Sequence, residues 1–160
     1  MSLKTITVLI LLTTSATAQT FPSSLPGELT PGAVNVRVTQ ENIHDTICHR
    51  GWAKSVRPPE KYTERIKREQ VRAMRYVDQN LKHYELDHLI PLELGGAPRD
   101  RRNLWAEYRH PFDLWGSSVK DRLENHVHHL VCTGKVSLRE AQQAFAHNWI
   151  DAYKKYMKVR

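Results

Sequence analysis

An aspartate and a histidine stand side by side at positions 87 and 88, at the end of a short apolar run, and an asparagine follows at position 103. Between them the chain breaks at Pro91 and turns through Gly95-Gly96 before returning to Asn103-Leu104-Trp105. These side chains have the means to hydrolyse a phosphodiester. Histidine has the unperturbed pKa nearest neutrality, so His88 suits a general base acting on water. Asp87 is a hard oxygen ligand for a divalent cation. Adjacent side chains on an extended segment point to opposite faces, so the pair can serve a metal and a water together only if the loop curls around the site. Asn103 carries an amide that can bridge the loop by hydrogen bonds to backbone, which casts it as an orienting residue with Leu104 and Trp105 as core anchors.

Helices must hold that stretch in place. Thr39 as N-cap and Gly51 beyond the end predict a short helix over 40–48, with Ile43 and Ile47 on one side. Pro58-Pro59 stops the preceding segment, and a helix is predicted from Thr63 through Tyr76, with Ile66, Ala73, Met74 and Val77 on its apolar side. Its basic residues, Arg65, Lys67, Arg68, Arg72 and Arg75, are as a group suited to track a nucleic-acid backbone. Val119, Leu123, Val127, Leu130 and Val131 recur at helical spacing, which predicts a helix over 118–133 that Gly134 ends. Ser137-Leu138-Arg139-Glu140 has the form of a capping box and opens a C-terminal helix with Leu138, Ala141, Phe145, Trp149, Ala152 and Tyr156 in its stripe. A short turn joins these last two helices, so they should pack as an antiparallel pair.

The amino terminus reads as a delivery signal. Lys4, the apolar run Ile6–Leu12 and the small residues Ala16-Thr17-Ala18 form a secretory signal peptide over 1–18. The run is too short for a membrane anchor, which needs about 20 apolar residues. Residues 19–37, rich in proline, glycine, serine and threonine, read as an extended leader, and 38–160 as one domain. Without its signal the protein should be soluble, periplasmic or secreted, and not inserted in a membrane. The whole chain carries a net charge of +7, and losing Lys4 with the signal leaves about +6. Such a balance favours polyanionic partners, nucleic acid first and anionic membrane or cell-wall polymers after it. Cys48 and Cys132 are the two cysteines, and export favours a disulfide between them over two buried thiols.

Asp87-His88-Leu89-Ile90-Pro91-Leu92-Glu93-Leu94-Gly95-Gly96, followed by Asn103-Leu104-Trp105, resembles the HNH endonuclease motif of the ββα-metal fold. Thr46-Ile47-Cys48, Val56-Arg57-Pro58-Pro59, Lys120-Asp121-Arg122-Leu123-Glu124 and Val131-Cys132 resemble a group of small exported bacterial proteins that carry the motif. The resemblance implies an α+β single domain, mainly helical, in which a short β-hairpin and the helix after it form the ββα-metal site. It implies cleavage of DNA, or RNA, with low sequence specificity. His88 would be the general base, Asp87 a metal ligand, Asn103 the structural asparagine, and magnesium, manganese, zinc or nickel the ion. Exported HNH proteins can also meet an immunity or inhibitor protein, on which this sequence is silent.

The family expects a further histidine or asparagine on or before the helix after the second strand. Here the chain has Trp115-Gly116-Ser117, and the row Lys120, Glu124, His128 at spacings of four becomes the source of ligands. Glu124 or His128 would face the metal and Lys120 a phosphate, with His110 as an alternative ligand and Arg101 and Arg102 as further phosphate contacts. A different class also fits: an exported binder of nucleic acid or cell-wall polyanions with a catalytically silent HNH-like loop.

Overall fold

Two helices hold a two-stranded hairpin between them. The computed structural model describes residues 20–110 and 114–158, so the signal peptide expected over 1–18 lies outside the described residues. The elements run α1 (Trp52–Val56), α2 (Glu60–Ala73), β1 (Tyr84–His88), β2 (Leu104–Tyr108), α3 (Ser117–Cys132) and α4 (Leu138–Tyr156). The architecture is α+β, with one antiparallel hairpin followed by a helix.

Local chemistry sets the boundaries. The expected helix over 40–48 is only a 3-10 turn at Gln40–Asn42, where the Asn42 side chain accepts from the Thr39 backbone N–H at 2.9 Å. Turns follow as far as Gly51, and α1 then forms where no helix is predicted. The next helix begins at Glu60, earlier than Thr63, because Pro59 at the cap position already has a φ of −59°. The Thr63 hydroxyl instead bonds back to the Glu60 carbonyl at 2.9 Å. α4 is interrupted at Asn148, whose backbone is extended and whose Oδ1 accepts from the N–H groups of Ile150 and Asp151. That amide caps the second half of the helix. The kink keeps Trp149 buried, with its Nε1 donating to the Ser24 carbonyl at 2.8 Å.

The hairpin pairs Tyr84 with Tyr108 and His88 with Leu104. Alternation along the strands then gives two faces. Tyr84, Leu86 and His88 share one with Leu104 and Ala106; Glu85 and Asp87 share the other with Trp105 and Glu107. The first meets α2 through a small core of Val71, Tyr76, Tyr84 and Ala106. Trp105 on the second joins the main core with Leu123, Val127 and Val131 of α3 and Phe145 and Trp149 of α4. Residues 20–39 contain no helix and are tied down. Gly32 N–H donates to the Arg102 carbonyl at 2.8 Å, Ala97 N–H to the Ala33 carbonyl at 2.8 Å, and Asn35 N–H to the Gly95 carbonyl at 2.8 Å. The Cys48–Cys132 disulfide closes the fold across 84 residues, which in the chain-entropy picture contributes roughly 4 kcal/mol.

The loop between the strands passes so close to itself at Gly96 that a Cβ there would lie 1.8 Å from the Ile90 carbonyl oxygen and 2.8 Å from Asn103 Nδ2. Gly96→Ala therefore cannot be accommodated without moving backbone. We expect it to destabilise the protein by roughly 3 kcal/mol, at the severe end for a single substitution. Urea unfolding beside wild type checks this; a loss under about 0.5 kcal/mol, the scale of an ordinary surface change, would contradict it.

Candidate active site on the two faces of the hairpin

The loop from Leu89 to Asn103 is shaped by a 3-10 turn at Leu92–Leu94, by Gly95 at φ +71° and by the side chain of Asn103. Asn103 is wholly buried. Its Oδ1 accepts from the N–H of Ile90 at 2.9 Å and of Ala33 at 3.4 Å, and its Nδ2 donates to the carbonyls of Ile90 at 3.0 Å and Ala97 at 3.2 Å. One amide thus clasps both limbs of the loop and the incoming leader.

His88 ends β1 on the α2 face and is 3% exposed. Its Nε2 lies 3.1 Å from the Pro98 carbonyl, which can only accept. The neutral ring must then carry its proton on Nε2, leaving Nδ1 as the basic nitrogen. Burial holds its pKa below the ordinary histidine value, against the opposing pull of Asp87 and of the Pro98 carbonyl. The imidazole lines a cleft of about 270 Å³ together with Arg57, Glu64, Lys67, Glu85 and Arg109. Lys67 is paired with Glu64 at 2.6 Å and Arg109 with Glu85 at 2.8 Å. The exposed Arg57 guanidinium has no carboxylate within ion-pair distance among the described residues.

Asp87 points the other way, into an ionic cluster beneath α3. Lys120 is wholly buried, and its Nζ donates to Asp87 Oδ2 at 2.6 Å, to the His88 carbonyl at 2.9 Å and to Glu124 Oε1. Burial alone would lower the Lys120 pKa; Asp87 and Glu124 more than reverse this and keep it charged. Burial also pushes Asp87 upward, but Lys120 outweighs it and leaves the carboxyl below its ordinary value. Glu107, which no sequence pattern singled out, completes the cluster. It is wholly buried, and neither of its oxygens has a donor among the described residues. Burial and the neighbouring Asp87 charge push it up to about 10, so at neutral pH it keeps a proton that it can donate to Asp87. The available signal was its place two residues from Trp105, on the inward face of β2.

The remaining expected residues fall elsewhere. Lys120 cannot serve as a phosphate contact, because its side chain is out of reach of any ligand in solution. His128 is on α3 with Glu124 but lies beside the disulfide, with Nε2 2.9 Å from the Ile47 carbonyl and 3.3 Å from Cys132 Sγ. Eight residue steps put His128 roughly 12 Å along α3 from Lys120, so of the two expected ligands on this helix only Glu124 stands near Asp87. Arg101 and Arg102 are exposed and engaged with Glu69 and Asp100 respectively. His110 is exposed.

A divalent ion at Asp87 fits these donors in kind but not in arrangement. Asp87, Glu107 and Glu124 are hard oxygens, yet Lys120 already holds two of them. Among the described residues the one set of three His, Cys or acidic groups close enough for an ion is Cys48, His128 and Cys132, and its sulfurs are joined in the disulfide. The residues therefore do not fit the ion as they stand.

The raised Glu107 pKa has a definite sign. In the unfolded chain the group titrates near 4.5, so folding takes up a proton between that value and about 10, and its stabilising effect is lost as pH rises through the window. Glu107→Gln lacks this dependence and can donate to Asp87 at any pH. We expect the variant to be more stable than wild type by up to about 3 kcal/mol at pH 7, with the gap growing toward pH 9. Urea unfolding of both proteins at pH 5, 7 and 9 measures it; a gap that shrinks with rising pH would contradict the assignment.

No family model matches the chain, and no curated protein or solved structure matches it; what the hairpin does must be judged from its own residues.

Proposed function

We propose that this chain is an exported endonuclease of HNH type, which hydrolyses phosphodiester bonds of DNA, or of RNA, with low sequence specificity. The observation that carries the reading is the neutral imidazole of His88 in a cleft beside the unpaired guanidinium of Arg57. Nδ1 of His88 takes a proton from water, and the oxygen so activated attacks phosphorus as the bond to the leaving 3′ oxygen breaks. Arg57 lies where it can balance charge on the phosphate, and fixed donors of this kind act most strongly in a cleft with little water. Asn103 contributes by holding the loop that carries Pro98, and hence the tautomer of His88. The excess of basic residues supports the choice of a polyanion as substrate. The disulfide, and the absence of any helix long and apolar enough to cross a membrane among the described residues, are compatible with export.

A second reading has its own supporting observation. The Asp87 carboxylate is held by Lys120, as it would be in a silent HNH-like loop that binds nucleic acid or cell-wall polyanions without cutting them.

Supercoiled plasmid separates the two readings. The protein without residues 1–18 is incubated with it in magnesium, manganese, zinc or nickel, and in chelator. We expect nicking by wild type, a loss of roughly 10²-fold or more in His88→Ala, and DNA binding retained in both. Arg57→Ala should weaken binding and flatten its salt dependence by about one phosphate contact. Equal nicking by His88→Ala removes the proposed base; binding without cutting under every condition establishes the silent reading.

A further inference from the structure

The α3 side of the hairpin already contains a cation. A lysine ammonium has three donors, and all three of Lys120 are in use, on Asp87 Oδ2, the His88 carbonyl and Glu124 Oε1. Glu107, fully buried behind Asp87, receives no donor from Lys120 or from any other described residue, in keeping with the proton it carries itself at neutral pH. We infer that the Lys120 ammonium occupies the place beside Asp87 and Glu124 that a hard divalent cation would take, and that the folded wild-type chain binds no divalent ion there.

Geometry and chemistry both support this. The ligand set consists of carboxylates and one backbone carbonyl, the oxygen donors that magnesium, manganese and calcium take. Lys120 also stands in the buried stripe of α3, in phase with Leu123, Val127 and Val131, so its ammonium cannot be exchanged with solvent cations without opening the fold. A single position on α3 thereby decides whether the site is filled from within or from solution. The inference is independent of whether the chain cuts nucleic acid, because its readout is ion binding.

Ion binding to the protein without residues 1–18 is measured by manganese electron paramagnetic resonance and by thermal unfolding in chelator, magnesium, manganese and calcium. For wild type we expect no bound manganese that Asp87→Asn removes, and a melting shift under about 1 °C. Lys120→Ser removes the occupant and leaves room for an ion with water. It should melt lower than wild type in chelator, or fail to fold, and be raised by roughly 5–10 °C or made to fold by manganese. Adding Asp87→Asn should abolish that rescue. The inference is overturned if wild type binds manganese in an Asp87-dependent manner, or if Lys120→Ser gains nothing from any of the ions, folded or not.

Discussion

The buried ammonium of Lys120 is the interaction on which the hairpin's geometry depends. It joins α3 to β1 through Asp87 and through the His88 carbonyl, and it draws Glu124 into the same contact. Taking such a group out of water is costly, and its full complement of acceptors offsets the cost only while all of them are present. Losing one partner of a buried pair typically costs about 3–5 kcal/mol, because the remaining charge is stranded. The pairing therefore says less about net stability than about uniqueness: one register of hairpin on helix satisfies the lysine. Because the His88 carbonyl is one of its acceptors, that register also fixes the backbone from which the imidazole projects.

Strand alternation then divides the work. Asp87 and His88 are neighbours in sequence and occupy opposite faces. The carboxylate is turned to the core and the ionic cluster, the imidazole to the cleft under α2. The expected trio of carboxylate, imidazole and amide therefore does not converge: the imidazole stands on one side and the Asp87 carboxylate, paired with Lys120, on the other. Asn103 connects the two sides, since its amide bonds the loop backbone at Ile90 and Ala97, next to the Pro98 carbonyl that holds His88.

Much of this was legible from residue types and spacing. The stripes of α3 and α4, the Ser137 cap and the strand–turn–strand of the hairpin follow from periodicity and turn residues, which are local properties. Thr63 has the type of a helix cap, but Pro59 presets the first turn and α2 starts three residues earlier, at Glu60. The break at Asn148 was invisible because the apolar spacing runs straight through it, while the cause is an amide cap and a tryptophan drawn to Ser24, distant in sequence. By spacing alone Lys120 reads as a phosphate contact, and Glu107 carries no signal of its own. Their burial depends on partners from another element, although both sit in phase with apolar neighbours, Lys120 with Leu123 and Glu107 with Trp105.

The proposed base chemistry requires a neutral His88 whose tautomer is set by the loop. The most direct measurement is the nitrogen-15 NMR of the histidine side chains across pH 4–9. The account predicts that His88 carries its proton on Nε2 at pH 7 and titrates below the ordinary histidine value of 6.5, with magnesium or without it. An imidazolium at pH 7, or a proton on Nδ1, would contradict it.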